Sequence, residues 1–315
     1  MSRLPRDSRS IESKKSAVSA MGEHRAGFVA VAGRTNVGKS TLVNLLVGHK
    51  VAIVTPRPQT TRRRILGIRS DADAQILLID TPGLHEAKQQ LNQRMVQTAR
   101  RAIAEGEVIL AVVEAGDRLN PGDRAVLIDI RALGRPTVVA INKVDRVPRA
   151  QLLPLIEEIN RGFPGAEIVP ISARTGENVD ELLATLKRML PESPALMSPD
   201  EYTDQTERMI AEEIVREKIF LKMRQEIPFS TAVKVEKFED DAERKLKRIS
   251  ATVVVDRESH KGMLIGAGGG TLKEIGTAAR IELEEILGAR VFLEIVVKVE
   301  RDWTRDPRKL AEFGL

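Results

Sequence analysis

Gly33-Arg34-Thr35-Asn36-Val37-Gly38-Lys39-Ser40-Thr41 has the spacing G-x-x-x-x-G-K-S, with the apolar run FVAVA (28–32) before it and a helical pattern over 41–47 after it. Strand, glycine loop and helix in that order are the setting in which this spacing has chemical meaning. Gly33 and Gly38 let the backbone curl so that successive N–H groups point inward, and the positive end of the following helix adds to the same field. The concavity suits a phosphate chain, with Asn36, Val37 and Thr41 completing its wall. Lys39 would reach the outer phosphates, and the Ser40 hydroxyl would take a magnesium ion.

A length of 315 residues allows two domains, and an apolar content of 42% can fill a core in each. The chain has no cysteine, which excludes disulfides and cysteine zinc sites. No apolar run approaches the roughly 20 residues of a membrane span. The net charge of +5 is compatible with an RNA partner but does not demand one, and with aromatics at 3% base stacking is not the main means of recognition. Residues 1–26 are polar and rich in Ser and Arg and have no apolar h-region, so they form a disordered tail and not a secretory signal. Asp7, Glu12 and Glu23 argue against a transit peptide, and translation could begin at Met1 or Met21.

From 27 to 190, short runs rich in Val and Ile at 28–32, 75–79, 108–113, 137–141 and 167–171 alternate with helical patterns at 91–104, 123–133 and 179–190. Continuous apolar runs of that length read as parallel strands buried on both faces. Residues 64–68 could add an antiparallel edge strand. The fold expected is a doubly wound α/β domain with its ligand at the carboxyl ends of the strands. Those ends carry further signals. Asp80-Thr81-Pro82-Gly83 follows one run: Asp80 would hold magnesium through water, and the Gly83 N–H could sense a γ-phosphate. Asn142-Lys143-Val144-Asp145 follows another. The Asp145 carboxylate can accept from both N1–H and the 2-amino group of guanine, whereas adenine would leave it facing a lone pair. Ser172-Ala173-Arg174 follows a third and could bring the Ala173 N–H to the guanine O6.

Those four motifs in that order resemble the P-loop GTPases related to translation factors. With Pro58-Gln59-Thr60-Thr61-Arg62 and Asp80-Thr81-Pro82-Gly83-Leu84-His85, the chain from about 27 to 314 is similar to the Era family of bacterial ribosome-assembly GTPases. The resemblance implies a GTP/GDP site with Mg2+ on Ser40, Asp80 and a switch I threonine, Thr61 in preference to Thr60, with Lys39, Thr61 and Gly83 serving hydrolysis. Asn36 would either help place K+ beside the phosphates or simply cap the loop. Leu84 stands where signalling GTPases carry a water-orienting glutamine; leucine has no donor or acceptor, so turnover by the protein alone would be slow. Arg57, Arg62, Arg63 and Arg64 form either a solvated basic loop or a contact to phosphate or RNA.

The Pro/Ser-rich stretch 191–200 reads as a linker and 201–315 as a second, smaller α+β domain. A long amphipathic helix at 206–225, β runs at 231–238 and 248–255 with a charged hairpin loop at 239–247, a helix from 261, Gly266-Ala267-Gly268-Gly269, a helix over 271–287 and a strand at 291–299 give the order α-β-β-α-α-β. That order, with G-x-x-G between two helices, resembles a type II KH domain, in which the loop clamps a single-stranded RNA backbone. Lys261, Gly266, Ala267, Gly268, Gly269 and Lys273 would line that contact. Relatives usually carry lysine where this chain has Ala267, which puts one phosphate contact in doubt; His260, Lys261, Lys273 and Arg280 could compensate. Trp303 would pack the C-terminus onto the KH sheet rather than stack a base. The resemblance further implies binding of the 3′ region of small-subunit rRNA during 30S assembly by a cytoplasmic monomer, and leaves room for peripheral association with the inner face of the cell membrane. The rival from another class is a membrane- or cell-cycle-associated signalling GTPase whose second domain docks a protein. Its mark would be an exposed apolar face on 206–225 with the glycine loop occluded.

Overall fold

The computed structural model describes residues 24–83, 90–224 and 226–315. The expected tail up to residue 23, the alternative start Met21, Leu84 with its glutamine comparison, and His85 lie outside the described residues.

The first domain is a six-stranded sheet in the order β2-β3-β1-β4-β5-β6. Its strands are β1 (Arg25–Ala32), β2 (Ile65–Ser70), β3 (Ala74–Asp80), β4 (Val108–Glu114), β5 (Thr137–Asn142) and β6 (Glu167–Pro170). All pairings are parallel except that of β2, which lies antiparallel to β3 at the sheet edge, as expected. Helices α1 (Lys39–Val47) and α5 (Val179–Met189) cover one face, burying Leu42, Val43, Leu46, Leu182 and Leu186 against Val29, Leu78 and Leu110. Helices α2 (Gln90–Glu105), α3 (Pro121–Arg131) and α4 (Leu152–Gly162) cover the other. Side chains on both faces of the central strands are therefore buried, which is why those strands read as unbroken apolar runs. Strand β1 begins at Arg25, paired to Ala74, so the boundary of the expected tail at 26 falls inside the sheet.

The second domain contains α6 (Glu207–Lys222), β7 (Ala232–Asp241), β8 (Leu246–Val255), α7 (Glu258–Ile265), α8 (Gly270–Leu287) and β9 (Arg290–Val299), ending in the short helix α9 (Pro307–Glu312). The order α-β-β-α-α-β matches expectation, with β7 antiparallel and β9 parallel to the central β8. The hairpin loop is shorter than 239–247, because Glu239, Asp240 and Asp241 pair with Arg248, Lys247 and Leu246. Opposite charges face one another there, and Lys247 Nζ lies 2.8 Å from Asp240 Oδ2.

The stretch 191–200 is no free tether. Glu192 forms a bridge to Arg25, Ser193 N–H donates to the His24 carbonyl (3.0 Å), and the buried Gln75 side chain accepts from the N–H groups of Leu196 and Met197 (2.7 and 2.9 Å). The two domains also share cores. Ile53, from the loop after α1, is buried among Ile210, Ile214 and other second-domain residues, and Leu91 and Met95 of α2 pack with Trp303, Leu310 and Phe313. Trp303 is fully buried and donates from Nε1 to the Ser230 carbonyl (3.0 Å), packing as expected and reaching the first domain as well.

Candidate functional site

The loop between β1 and α1 turns at Gly38, whose φ of +101° is left-handed; a Cβ there would stand 2.3 Å from the Asn142 amide. Glycine is required on both counts. No side chain caps the start of α1, so its first N–H groups remain directed at the loop. A cavity of about 410 Å³ opens beside it, lined by Lys39, Ser40, Thr41 and Gly83 on the sheet side and by residues 53–56 and 59–61 on the other. Gly83 lies directly on Thr35 of the glycine loop.

Ser40, Thr61 and Asp80 converge at the floor. Ser40 Oγ is 2.7 Å from Asp80 Oδ2 and 2.8 Å from Thr61 Oγ1, which itself lies 3.4 Å from the same carboxylate oxygen. Thr60 points elsewhere, to Thr55 Oγ1 (2.6 Å) and the Arg57 carbonyl (2.8 Å), so of the two threonines only Thr61 joins the set. Among the described residues, Asp80 Oδ1 is buried without a hydrogen-bond partner. An orphaned carboxylate oxygen beside two hydroxyls is a set of hard donors that fits Mg2+. Burial pushes the Asp80 carboxyl upward; Lys39 and the Ser40 hydroxyl pull against it.

Lys39 Nζ donates to the carbonyls of Gly33 (3.2 Å) and Arg34 (3.0 Å) and is buried. Burial brings its pKa down to about 8, against the pull of Asp80 and Asp123. A phosphate beside the amine would raise that value again. GDP affinity should therefore hold steady below pH 8 and weaken as pH rises through about 8, where the empty protein loses the proton that the complex keeps. Calorimetry in two buffers of different ionisation heat should show net proton uptake on binding at pH 8.5 and little at pH 7.

At the far end of the loop, Asn142 Nδ2 donates to the Val37 carbonyl (2.8 Å), and Lys143 Nζ reaches the Asn36 carbonyl (2.7 Å) and Glu114 (2.8 Å). Asp145 accepts from Ser172 Oγ and from Arg174, both at 2.6 Å; the hydroxyl bond above all, then Arg174, holds its carboxyl below the usual range. The Ala173 N–H, expected to face a base, donates to Asn142 Oδ1 (2.9 Å), which also accepts from the Lys143 N–H (2.8 Å). Thr81 Oγ1 donates to the Val31 carbonyl (2.8 Å) and is fully buried, so it holds β1 to β3, and Pro82 is buried beside it. Asn36 donates to the Pro56 carbonyl (3.2 Å) across the cavity mouth.

Two groups of side chains at the site carry no motif. Arg34 pairs with Glu114 and with Asp123, which burial pushes up; this braces the glycine loop against α3. The arginines of the 53–64 loop are not a freely solvated basic loop, and each is paired within the protein. Arg57 donates to the Met223 carbonyl, Arg62 to those of Pro228, Phe229 and Thr231, and Arg63 to Glu212 and the Phe313 carbonyl, while Arg64 lies near Glu105 and Asp204. All but Arg64's Glu105 contact are to the segments that follow residue 200.

In the second domain α7 stops at Gly266 (φ +73°, with Thr271 Oγ1 2.3 Å from where a Cβ would sit), and Gly269 (φ +80°) opens α8. Ala267 and Gly268 between them are exposed, Lys273 is exposed and Lys261 is half-buried. Two of the compensating residues are engaged internally: His260 is buried with Nδ1 2.6 Å from Asp256, and Arg280 pairs with Glu284.

Residues 28–143 match the family model described as 50S ribosome-binding GTPase, and residues 226–304 match that of the KH domain. GTPase Era of Syntrophus aciditrophicus is 47% identical over 290 residues, covering 92% of this chain and 95% of that protein. A solved structure of Era in complex with MgGDPNP and nucleotides 1506–1542 of 16S ribosomal RNA is 44% identical with a TM-score of 0.89, over 92% of this chain and 99% of that one. An Aquifex aeolicus Era variant bound to GDP and AlF4− is similar to the same TM-score, 0.89, at 43% identity and with the same coverage of both chains. Identity of that order along nearly the whole of both chains, together with the paired domain matches, places the protein in the Era family of GTPases.

Proposed function

We propose that this GTPase binds the 3′ region of small-subunit rRNA across the loop 266–269 and acts in the cytoplasm during assembly of the 30S subunit, with GTP favouring the RNA-competent arrangement and hydrolysis releasing it. The observation that carries this reading is an exposed glycine loop between two helices on the chain in which Ser40, Thr61 and Asp80 converge beside a cavity of about 410 Å³. A relative sharing both domains was solved with a magnesium-bound GTP analogue and 16S rRNA.

In this reading Asp145 reads guanine, braced by Ser172 and Arg174, and Asn142 and Lys143 hold the base-binding segment to the glycine loop. Lys39 leaves the two loop carbonyls for the phosphates. Ser40, Thr61 and Asp80 hold magnesium, which when bound supplies positive charge to the outer phosphates. The Gly83 N–H faces the γ-phosphate. Asn36, which spends its amide N–H on Pro56, would offer its oxygen to a potassium ion.

The protein-docking alternative needs an exposed apolar face on α6. That helix is buried nearly all round, through Ile210, Ile214, Val215, Ile219 and Phe220, and the glycine loop stands open. Among the described residues no helix is long and apolar enough to cross a membrane. Crosslinking in cells followed by sequencing of the bound RNA is the test. Enrichment of the 3′ end of small-subunit rRNA is expected; an unselective mixture, or protein adducts alone, would overturn the proposal.

A further inference from the structure

Arg62 is 4% exposed, yet its hydrogen bonds go to backbone carbonyls: Nη1 to Thr231 (2.8 Å), and Nη2 to Pro228 (3.0 Å) and Phe229 (2.9 Å). The guanidinium lies 5.6 Å from the centre of the Phe220 ring. The nearby Glu213 is engaged by Arg216. Burial, then repulsion from Arg216, brings Arg62 down to about 9, so it is still a cation at neutral pH. Burying a charge whose bonds go to neutral carbonyls is an expensive way to fasten a loop. Shape alone could be filled by an apolar side chain.

Its position supplies a reason. The preceding residue is Thr61, whose hydroxyl sits on Ser40 and Asp80. Because the two are adjacent in the chain, Thr61 cannot leave the metal set without pulling on Arg62. The carbonyls that Arg62 holds belong to the turn entering β7. In the same turn the Ser230 carbonyl accepts from Trp303, and Ser230 Oγ lies 3.2 Å from Nδ1 of His260. His260 is on α7, the helix that ends at the Gly266 loop. The loop on the other side of Thr61 is anchored as well, since the Val54 N–H donates to the buried Glu217 (2.9 Å).

We propose that Arg62 is the positioning residue that joins the two sites: by holding the carbonyls of 228–231 it makes the placement of Thr61 at the metal set depend on the seating of the second domain, and the stance of α7 depend on Thr61. This rests on the function proposed above, in which nucleotide state governs RNA binding. Linkage requires the effect to run both ways, so that RNA must tighten the GTP-analogue complex by the factor that the analogue tightens RNA.

The test uses the full chain, a 3′-end rRNA oligonucleotide, and GDP or the non-hydrolysable analogue GDPNP with Mg2+. The quantity read is the ratio of RNA dissociation constants in the two nucleotide states, with melting curves as the control for folding. Coupled sites typically differ by about 5–150-fold. In Arg62→Met, which keeps the stem on Phe220 and removes the donors, the ratio should collapse to within about twofold of one, a factor too small to count as coupling. Arg62→Lys keeps a cation and fewer donors and should give an intermediate ratio; it decides the matter if Arg62→Met does not fold. A purely structural role would weaken RNA binding equally in both states and leave the ratio at its wild-type value, and that result in a folded variant overturns the inference. A wild-type ratio of one would instead overturn the link between nucleotide and RNA, and the inference with it.

Discussion

Gly268→Asp should abolish binding of a 3′-end rRNA oligonucleotide while the protein melts as the wild type does. Gly268 has φ +58°, is exposed, and has nothing within 4 Å of the place a Cβ would occupy. Aspartate is among the side chains that tolerate left-handed backbone, so the substitution has both room and a permitted conformation. What it adds is a negative charge where a phosphate has to approach. GTP turnover without RNA should stay near wild type, because the open space around Gly268 leaves the new carboxylate nothing to disturb. Ala267→Lys should act in the opposite sense. One added phosphate contact steepens the log–log salt dependence by about 0.7 for single strands. Titrations of both variants at several salt concentrations check the pair; wild-type affinity in Gly268→Asp would remove the loop from the RNA site.

Asp145→Asn should carry nucleotide preference from GTP to XTP. Ser172 and Arg174 keep the carboxylate ionised at working pH, and each oxygen retains a lone pair for a base. An asparagine amide meets the guanine 2-amino group donor to donor, whereas the 2-oxo group of xanthine accepts from it. A site built to hydrogen-bond its ligand rejects one that leaves those groups unpaired by about 10⁴–10⁵-fold. Neighbouring geometry should survive, since Arg174 is largely exposed and can turn to water. Competition binding that still ranks GTP over XTP by the wild-type ratio would show that Asp145 does not read the base.

Much of this was legible in the chain because it is local. The strands of the first domain are buried on both faces, so their apolar runs announce themselves. Asp80, Asn142 and Ser172 stand where such runs end, and a fixed spacing carries the glycine loop. What stayed illegible depends on partners distant in sequence. Arg62 looks like any basic loop residue because its acceptors are main-chain carbonyls beyond residue 227, which leave no side-chain trace. The brace of Arg34 on Asp123 is hidden because an acid in the first turn of a helix is ordinary. Helix α4 buries Leu152, Leu155 and Ile159, but Pro154 early in that run reads as a breaker when its position in the first turn cannot be known. Thr61 is preferred over Thr60 from its place in the Thr-Thr-Arg run, but only the geometry shows why: Thr61 reaches Ser40 and Asp80, while Thr60 turns to Thr55 and Arg57.

Trp303 is the sole tryptophan of the chain and lies where three segments meet: α2 of the first domain through Leu91 and Met95, the turn before β7 through Ser230, and the C-terminal Phe313, whose ring stands edge-on at 5.2 Å. An indole in that place is a native optical gauge. Its emission wavelength and quenching report whether the domains are closed on each other, in unlabelled protein and on the millisecond scale of stopped-flow mixing, and no other indole contributes background.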